Sequence, residues 1–179
     1  MTDPLFFDTD CVSAFLWVGN ENLLAKLYPG RVVIPQSVYD ELSVPGIAHL
    51  KRRVDALIQT GDAFVMQIAV GSEEHALYRK LTSNPAPGHR IIGRGEAAAI
   101  ALSKCQNGIL ASNNLRDISD YVAEFHLRHM TTGDILFEAY QRKFLDESQG
   151  NALWANMLAK RRKLGYASFS EYLRHKTGR

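Results

Sequence analysis

Four short apolar runs and one weaker run, separated by segments with helical spacing, constrain the fold of this chain more than any other feature. The runs lie at residues 4–7, 32–34, 64–66, 109–111 and 129–132. Runs this short and apolar are typical of strands that are buried on both faces. Because strands that alternate with helices form parallel sheets, the sequence predicts an α/β fold with a mostly parallel central sheet, covered by helices on both sides.

Apolar spacing and capping residues predict the helices between these strands. The first should run to residue 17 from a cap at Thr9 or Asp10, and the others should lie at 21–27, 37–42, 46–60, 72–82, 93–104, 115–125, 133–144 and 151–164, with a short ending at 169–173. Residues 145–150 are predicted to be a linker. The chain would then consist of a domain at 1–145 and a basic helical extension at 146–179.

Charge is balanced overall but uneven along the chain. The 179 residues include 21 Lys or Arg and 19 Asp or Glu, which excludes a histone-like polycation. Residues 151–179 nevertheless carry seven basic side chains and one Glu, and four of the basic side chains are consecutive at 160–163. Such a run is either the solvated face of a packed helix or a contact surface for a polyanion such as RNA, and both interpretations stay open.

Cysteine usage and hydropathy predict the compartment. Cys11 and Cys105 are too few for a disulfide scaffold and fit a reducing environment. The first residues lack the basic and apolar regions of a secretory signal, and no window approaches the roughly 20 apolar residues that span a bilayer. We therefore expect a cytoplasmic protein that has no membrane partner.

Acidic side chains follow the predicted strands at the places where a parallel sheet forms its binding crevice. Asp8 ends the first strand, Glu41 lies in the helix after the second, Glu96 opens an Ala-rich helix and Asp117 follows the fourth strand. Clustered carboxylates repel one another unless a cation lies between them. Carboxylate oxygens suit Mg²⁺, and one or two such ions can promote phosphodiester cleavage. Just before Glu96, Gly95 should let the start of its helix approach a neighbouring element closely.

Four segments carry a family resemblance. They are Phe-Phe-Asp-Thr-Asp-Cys-Val-Ser at 6–13, Val-Ile-Pro-Gln-Ser-Val-Tyr-Asp-Glu-Leu at 33–42, Gly-Arg-Gly-Glu with its small-residue helix at 93–102, and Leu-Ala-Ser-Asn-Asn-Leu-Arg-Asp-Ile at 110–118. In this order and spacing they resemble the PIN-domain nucleases, above all the small bacterial and archaeal toxins of toxin–antitoxin pairs. The resemblance covers about residues 5–144 and implies a three-layer α/β/α sandwich.

The resemblance also implies a metal centre. It assigns one or two Mg²⁺ or Mn²⁺ ions to Asp8, Glu41, Glu96 and Asp117. Among these, Asp8 and Glu96 would be the direct ligands, and Glu41 would either bind through water or complete a second site. Supporting roles, in orienting ligands or contacting phosphate, are implied for Thr9, Ser13, Ser112 and Asn114.

The activity implied by the resemblance is that of a metal-dependent endoribonuclease. Such an enzyme hydrolyses RNA phosphodiesters with a metal-activated water. As a toxin, it would have a cognate antitoxin protein that blocks the acidic pocket, often with an Arg side chain. A homodimer is the further partner that the family implies.

One departure from the family pattern keeps an alternative open. Many members carry an acid at the tip of the fourth strand, where this chain has Asn113 and Asn114, followed three residues later by Asp117. The alternative is a degenerate PIN-fold module that binds RNA or a protein without cleavage. A DNA nuclease has less support because the chain lacks further domains to grip a duplex, and a receiver-like α/β domain has the least.

Overall fold

A single parallel sheet organises the chain. The computed structural model describes residues 3–178. In this part of the chain the strands are β1 (Leu5–Phe7), β2 (Val32–Pro35), β3 (Ala63–Met66), β4 (Ile109–Ala111) and β5 (Arg128–Met130). Neighbouring strands all run parallel, in the order β3-β2-β1-β4-β5. The predicted α/β fold with a parallel central sheet is confirmed.

Helices connect and cover the strands. Between residues 3 and 178 they are α1 (Thr9–Trp17), α2 (Asn22–Leu27), α3 (Gln36–Glu41), α4 (Ala48–Gln59), α5 (Glu73–Ser83), α6 (Arg94–Cys105), α7 (Leu115–Glu124), α8 (Thr132–Gln141), α9 (Glu147–Ala159) and α10 (Phe169–Thr177). The predicted helices that correspond to α1–α8 agree with these bounds to within about three residues. Apolar spacing therefore located most of the helices correctly.

The strand order determines where a site can form. β1 pairs with β2 on one side and with β4 on the other, so the chain changes direction across the sheet between these two neighbours. At such a switch point the connections leave the sheet on opposite faces and open a crevice at the carboxyl ends of the strands. Asp8 follows β1 and Ser112 follows β4, so both residues lie at this crevice.

The central strand supplies the core on both faces of the sheet. Phe6 belongs to one apolar cluster, together with Leu110 and Ile100 of α6. Phe7 belongs to the other cluster, which includes Phe15 of α1. Side chains that alternate between two faces are the expected outcome for a strand buried on both sides, and they produce the three layers of the α/β/α sandwich.

Residues 145–150 are not a linker, contrary to the sequence prediction. Asp146 caps α9: its carboxylate accepts a hydrogen bond from the Gln149 N–H at 2.8 Å, and the Gln149 side chain accepts one from the Asp146 N–H. The helix begins at Glu147 and ends at Ala159, whereas the sequence predicted 151–164. The Asp-x-x-Gln pattern is a capping box, which was masked by the polar composition of the segment.

The C-terminal helices share a core with the sheet. Trp154 and Phe169 are fully buried in the same cluster as Leu5 and Phe7. The Trp154 ring lies 6.0 Å from Phe169 and 5.5 Å from Tyr172, measured between centroids. Aromatic side chains of this size contribute much of the buried area of a core, so α9 and α10 stabilise one face of the sheet.

In the part of the chain that the structure describes, we find no helix whose length and apolar character would let it cross a membrane.

The junction of α9 and α10 allows a test of this packing. A methyl group added at Gly150 would lie 2.2 Å from Cδ1 of Phe169, which is buried. Gly150→Ala should therefore lower the free energy of unfolding by about 1–3 kcal/mol, as overpacked cores do. Chemical denaturation would measure this change as a lower midpoint at constant slope.

The sign of the change in unfolding free energy is informative. A Gly to Ala substitution inside a helix normally stabilises the protein by about 0.5–1 kcal/mol, so a loss of stability would point to the contact with Phe169. Ser148→Ala, at an exposed position on the same helix, is the matched control and should be neutral or slightly stabilising. A Gly150→Ala variant as stable as the wild type would show that Phe169 does not pack against this position.

Candidate metal centre

Asp8 is the most buried carboxylate of the site. It follows β1 and caps α1: its Oδ1 accepts a hydrogen bond from the Cys11 N–H at 2.7 Å. The predicted cap at Thr9 or Asp10 was wrong by one or two residues. Asp8 has no exposed surface, and its Oδ2 has no hydrogen-bond partner among residues 3–178. A buried carboxylate oxygen without a partner is costly, unless a proton or a cation occupies the position beside it.

Burial raises the pKa of Asp8 to about 7, from an ordinary value of 3.8. The Ser112 hydroxyl and the Cys11 N–H lower this pKa, although the hydroxyl does not reach Oδ2 at hydrogen-bond distance. The carboxylates of Asp10 and Glu96 raise it. Asp8 therefore lies in a dry environment within the electrostatic range of two other acids.

Glu41 is held by neutral donors at the end of α3. The Thr9 hydroxyl donates a hydrogen bond to its Oε2, and the Gly95 N–H donates one to its Oε1 at 3.0 Å. A Cβ at Gly95 would lie 2.6 Å from the Thr9 hydroxyl and 2.9 Å from Oε2 of Glu41. The predicted close approach at Gly95 is confirmed, and the element it approaches carries Glu41.

Glu96 lies in the first turn of α6. Its Oε2 accepts a hydrogen bond from the Gly93 N–H at 3.2 Å, and its Oε1 accepts one from Nδ2 of Asn114 at 2.5 Å. Burial raises its pKa, with a further contribution from Asp117, while the two hydrogen bonds act in the opposite direction.

Asp117 lies in the first turn of α7 at the more exposed edge of the site. Its Oδ2 accepts a hydrogen bond from Nδ2 of Asn114 at 2.8 Å, and its Oδ1 lies 3.2 Å from the Arg90 guanidinium. The Asn114 hydrogen bond and the Arg90 charge hold the pKa of Asp117 below its usual value. One amide group therefore links Asp117 to Glu96.

A cavity of about 230 Å³ lies beside Glu41 and Glu96. It is lined by Thr9, Asp10, Glu41, Gly93, Gly95 and Glu96. Asp10 was not among the acids predicted from the sequence, although it raises the pKa of both Asp8 and Glu96. Asp10 lies two residues after Asp8 in the first turn of α1, and this position could have indicated a role in the site. An acid there also fits a helix cap, which is the role that the sequence predicted.

The predicted supporting residues divide into two groups. Thr9 contacts Glu41, Asn114 contacts Glu96 and Asp117, and the buried Ser112 hydroxyl accepts a hydrogen bond from the Asn114 N–H at 3.3 Å. The Ser13 hydroxyl makes different contacts.

Ser13 contacts the C-terminal part of the chain instead of the acids. Its hydroxyl donates to the Asp10 carbonyl at 3.2 Å and accepts a hydrogen bond from the Arg162 guanidinium at 3.2 Å. The same guanidinium lies 3.7 Å from the Asp10 carboxylate. The basic run at 160–163 therefore reaches the rim of the acidic site, a contact that the sequence did not predict.

Asn113 acts as a structural link. Its Nδ2 donates to the Thr132 hydroxyl at 2.9 Å, and its Oδ1 accepts from the Thr132 N–H at 2.8 Å. Both the nitrogen and the oxygen of the amide are hydrogen-bonded to Thr132, and these bonds connect the end of β4 to the start of α8. The residue at the tip of the fourth strand therefore contributes to packing, while Asn114 faces the acids.

The donor set fits a hard divalent cation. The carboxylates of Asp8, Asp10 and Glu96 interact electrostatically, and the unpartnered Oδ2 of Asp8 is a buried oxygen that a cation would satisfy. Within residues 3–178, however, no three His, Cys, Asp or Glu side chains are already arranged as a metal-binding group. Thr9, Gly95 and Asn114 hold the carboxylate oxygens that would have to turn toward a cation.

Comparison with known proteins gives one match. A family model described as a PIN domain matches residues 5–176 of the chain. No curated protein and no solved structure matches it significantly. The matched region includes all four acidic positions predicted from the sequence, and it continues through the C-terminal helices.

The raised pKa of Asp8 predicts how stability depends on pH in the metal-free protein. Between about pH 4 and pH 7 the unfolded chain has lost this proton while the folded chain keeps it. The free energy of unfolding should therefore fall as pH rises through this range, by on the order of a few kcal/mol, and should level off above it. Asp8→Asn should remove this part of the pH dependence.

Denaturant unfolding of both proteins in EDTA at several pH values would measure the difference. Asp10→Asn is the matched control, because Asp10 is an exposed neighbour in the same turn. It should keep most of the slope. Parallel pH curves for the wild type and Asp8→Asn would contradict the burial of an uncompensated carboxyl group at position 8.

Proposed function

We propose, from the premise that the chain belongs to the PIN-domain family, that it is a metal-dependent endoribonuclease. PIN domains are nucleases, so the family predicts that this chain hydrolyses phosphodiester bonds. We propose more specifically that the substrate is RNA and that cleavage requires Mg²⁺ or Mn²⁺.

The observation that carries this proposal is the environment of Asp8. Within the described residues its Oδ2 is buried without a hydrogen-bond partner, and it lies close enough to Asp10 and Glu96 for both to raise the pKa of Asp8. A fold that needed only a helix cap would not have to bury a second carboxylate oxygen at this cost. The arrangement is favourable once a cation compensates the charge.

The side chains of the site would have different roles in binding the cation. Asp8 and Glu96 would bind the cation directly, and Glu41 and Asp117 would complete its surroundings. The chemistry that a divalent cation supplies in such a site is polarisation of a phosphoryl oxygen and a lower pKa for water. Thr9 and Gly95 orient Glu41 with two hydrogen bonds.

Asn114 has a positioning role in this proposal. Its amide nitrogen contacts Glu96 at 2.5 Å and Asp117 at 2.8 Å, so neither carboxylate can turn away without losing a hydrogen bond. Residues that orient metal ligands in this way typically affect activity by about 10- to 100-fold.

We extend the proposal to a toxin role on the strength of the family resemblance. The cognate antitoxin would be a protein that inserts a basic side chain into the acidic cavity. The contact between Arg162 and Asp10 supports the idea that this rim accepts a guanidinium.

A second candidate function is a binding module that does not cleave. Asn113 occupies the position where many relatives have an acid, and its amide is bound to Thr132 on both sides. Asp117 is paired with Arg90 at the exposed edge. These features favour a weaker metal site, and cleavage assays distinguish the two functions.

The first test is cleavage of a mixed pool of single-stranded RNA by the purified full chain. Mn²⁺ or Mg²⁺ should support cutting, and EDTA should abolish it. Asp8→Asn and Glu96→Gln should each lower the rate by about 100-fold or more, since loss of a ligand costs at least as much as loss of a residue that orients one.

Glu73→Gln, an exposed acid in the first turn of α5, is the control and should cut like the wild type. A Mn²⁺ titration followed by the thermal midpoint gives an independent measure of binding. Binding of Mn²⁺ without cutting would favour the binding module, and neither binding nor cutting would overturn the metal centre.

The toxin role makes a separate prediction. Expression of the wild type in a bacterial host should arrest growth, because uncontrolled RNA cleavage stops protein synthesis, whereas Asp8→Asn at the same expression level should not. Growth curves and immunoblots measure both quantities. Equal growth of the two strains would contradict the toxin role and would leave the nuclease proposal to the cleavage assay.

A further inference from the structure

A second cavity, lined partly by the basic C-terminal segment, lies beside the acidic site. It measures about 250 Å³, and its walls include Asn113, Lys163, Tyr166, His175 and Lys176. We propose that this cavity binds one unpaired nucleotide of a single-stranded RNA whose neighbouring phosphodiester lies at the acids. This inference rests on the proposed nuclease function and adds a substrate subsite to it.

Two pairs of consecutive residues connect the cavity to the acids. Asn114 donates to Glu96, and Asn113 lines the cavity. Arg162 contacts Asp10, and Lys163 lines the cavity. Consecutive Cα atoms are about 3.8 Å apart, so two walls of the cavity are built by the residues that directly neighbour the acid-contacting Asn114 and Arg162 in the chain.

Two lysine side chains line the cavity, and they differ in how their charge is compensated. Lys176 forms an ion pair with Asp134 at 2.5 Å, so its charge is largely compensated. Lys163 is exposed and has no ion-pair partner in the described part of the chain. A cluster of carboxylates repels RNA, and a free cation beside it would offset this repulsion and bind a backbone phosphate.

The cavity also has an aromatic surface. The ring of Tyr166 is partly exposed and packs against His175, with 5.2 Å between centroids, and against Tyr172 at 5.3 Å. The Tyr166 carbonyl accepts a hydrogen bond from the Trp154 indole, so the loop is fixed to the core. A rigid aromatic ring beside a cation is the arrangement with which proteins bind unpaired bases by stacking.

These features favour single-stranded RNA over a duplex. A base can enter a cavity of this size and stack on Tyr166 only when it is unpaired. Stacking and phosphate contacts are tolerant of sequence, so the subsite should contribute affinity and register more than base identity.

The test measures binding and cleavage separately in the full chain. Binding is measured by fluorescence anisotropy with a 5′-fluorescein single-stranded RNA of 12 nucleotides, in Ca²⁺, with a gel to verify that the RNA stays intact. Cleavage of the same RNA is measured in Mn²⁺. The variants are Lys163→Ala, Tyr166→Ala and Tyr166→Phe.

Lys104→Ala is the matched control. Lys104 lies in the last turn of α6, whose first turn carries Glu96, so it is a basic residue at the opposite end of a 12-residue helix. It should bind and cut RNA like the wild type.

We expect Tyr166→Ala to weaken binding about 10- to 100-fold and Tyr166→Phe to restore it, because stacking needs the ring and not the hydroxyl. Lys163→Ala should weaken binding and reduce the slope of log K against log salt by about 0.7, the value for one phosphate contact on a single strand. In cleavage assays both losses should appear mainly as a higher KM. Since Tyr166 also packs on the core, Lys163→Glu serves as a second variant, at an exposed position.

The outcomes separate the two proposals. If the wild type cuts RNA while Lys163→Ala, Lys163→Glu and Tyr166→Ala bind and cut like it, the subsite is overturned and the nuclease stands; the cavity would then be free for a protein partner. If the wild type neither binds nor cuts RNA, both proposals fail. Binding without cutting that still depends on Lys163 and Tyr166 would support the subsite in a protein that does not cleave.

Discussion

The mutual repulsion of its carboxylates is the constraint on which the rest of this site depends. The fold opposes it mainly with neutral donors rather than with cations. The Cys11 N–H binds Asp8, the Gly95 N–H binds Glu41, and one Asn114 amide holds Glu96 and Asp117 together. Neutral donors fix the oxygens in place without cancelling their charge, so the site keeps its negative charge.

Two of these donors, Gly95 and Asn114, reach the acids from elements that lie far away in the sequence. The N-terminus of α6 reaches α1 and α3 through Gly95, where a methyl group would contact both the Thr9 hydroxyl and the Glu41 carboxylate. The loop after β4 reaches α6 through Asn114. Both approaches follow from a strand order in which β1 lies between β2 and β4, so topology and local sequence place the same acids together.

The sequence predicted the fold and four of the acids because both follow from local rules. Strands that alternate with helices indicate a parallel sheet, and residues that follow such strands lie at its carboxyl edge. The missed features are those with two local interpretations. Asp10 could equally be a helix cap, and the polar residues before Gly150 resembled a linker although they form a capping box. Local sequence patterns could not predict the contact between Arg162 and Asp10, because the two residues are 152 positions apart in the sequence.

The burial of Phe169 and Leu173 in the core that covers β1 has a consequence for synthesis. On the ribosome, β1 and α1 emerge long before α9 and α10, so the face of this core that the two C-terminal helices cover stays open until they have been made. Arg162 reaches the acidic rim only in the same late interval. A protein that binds the nascent chain would therefore meet this face before the chain's own C-terminal helices cover it.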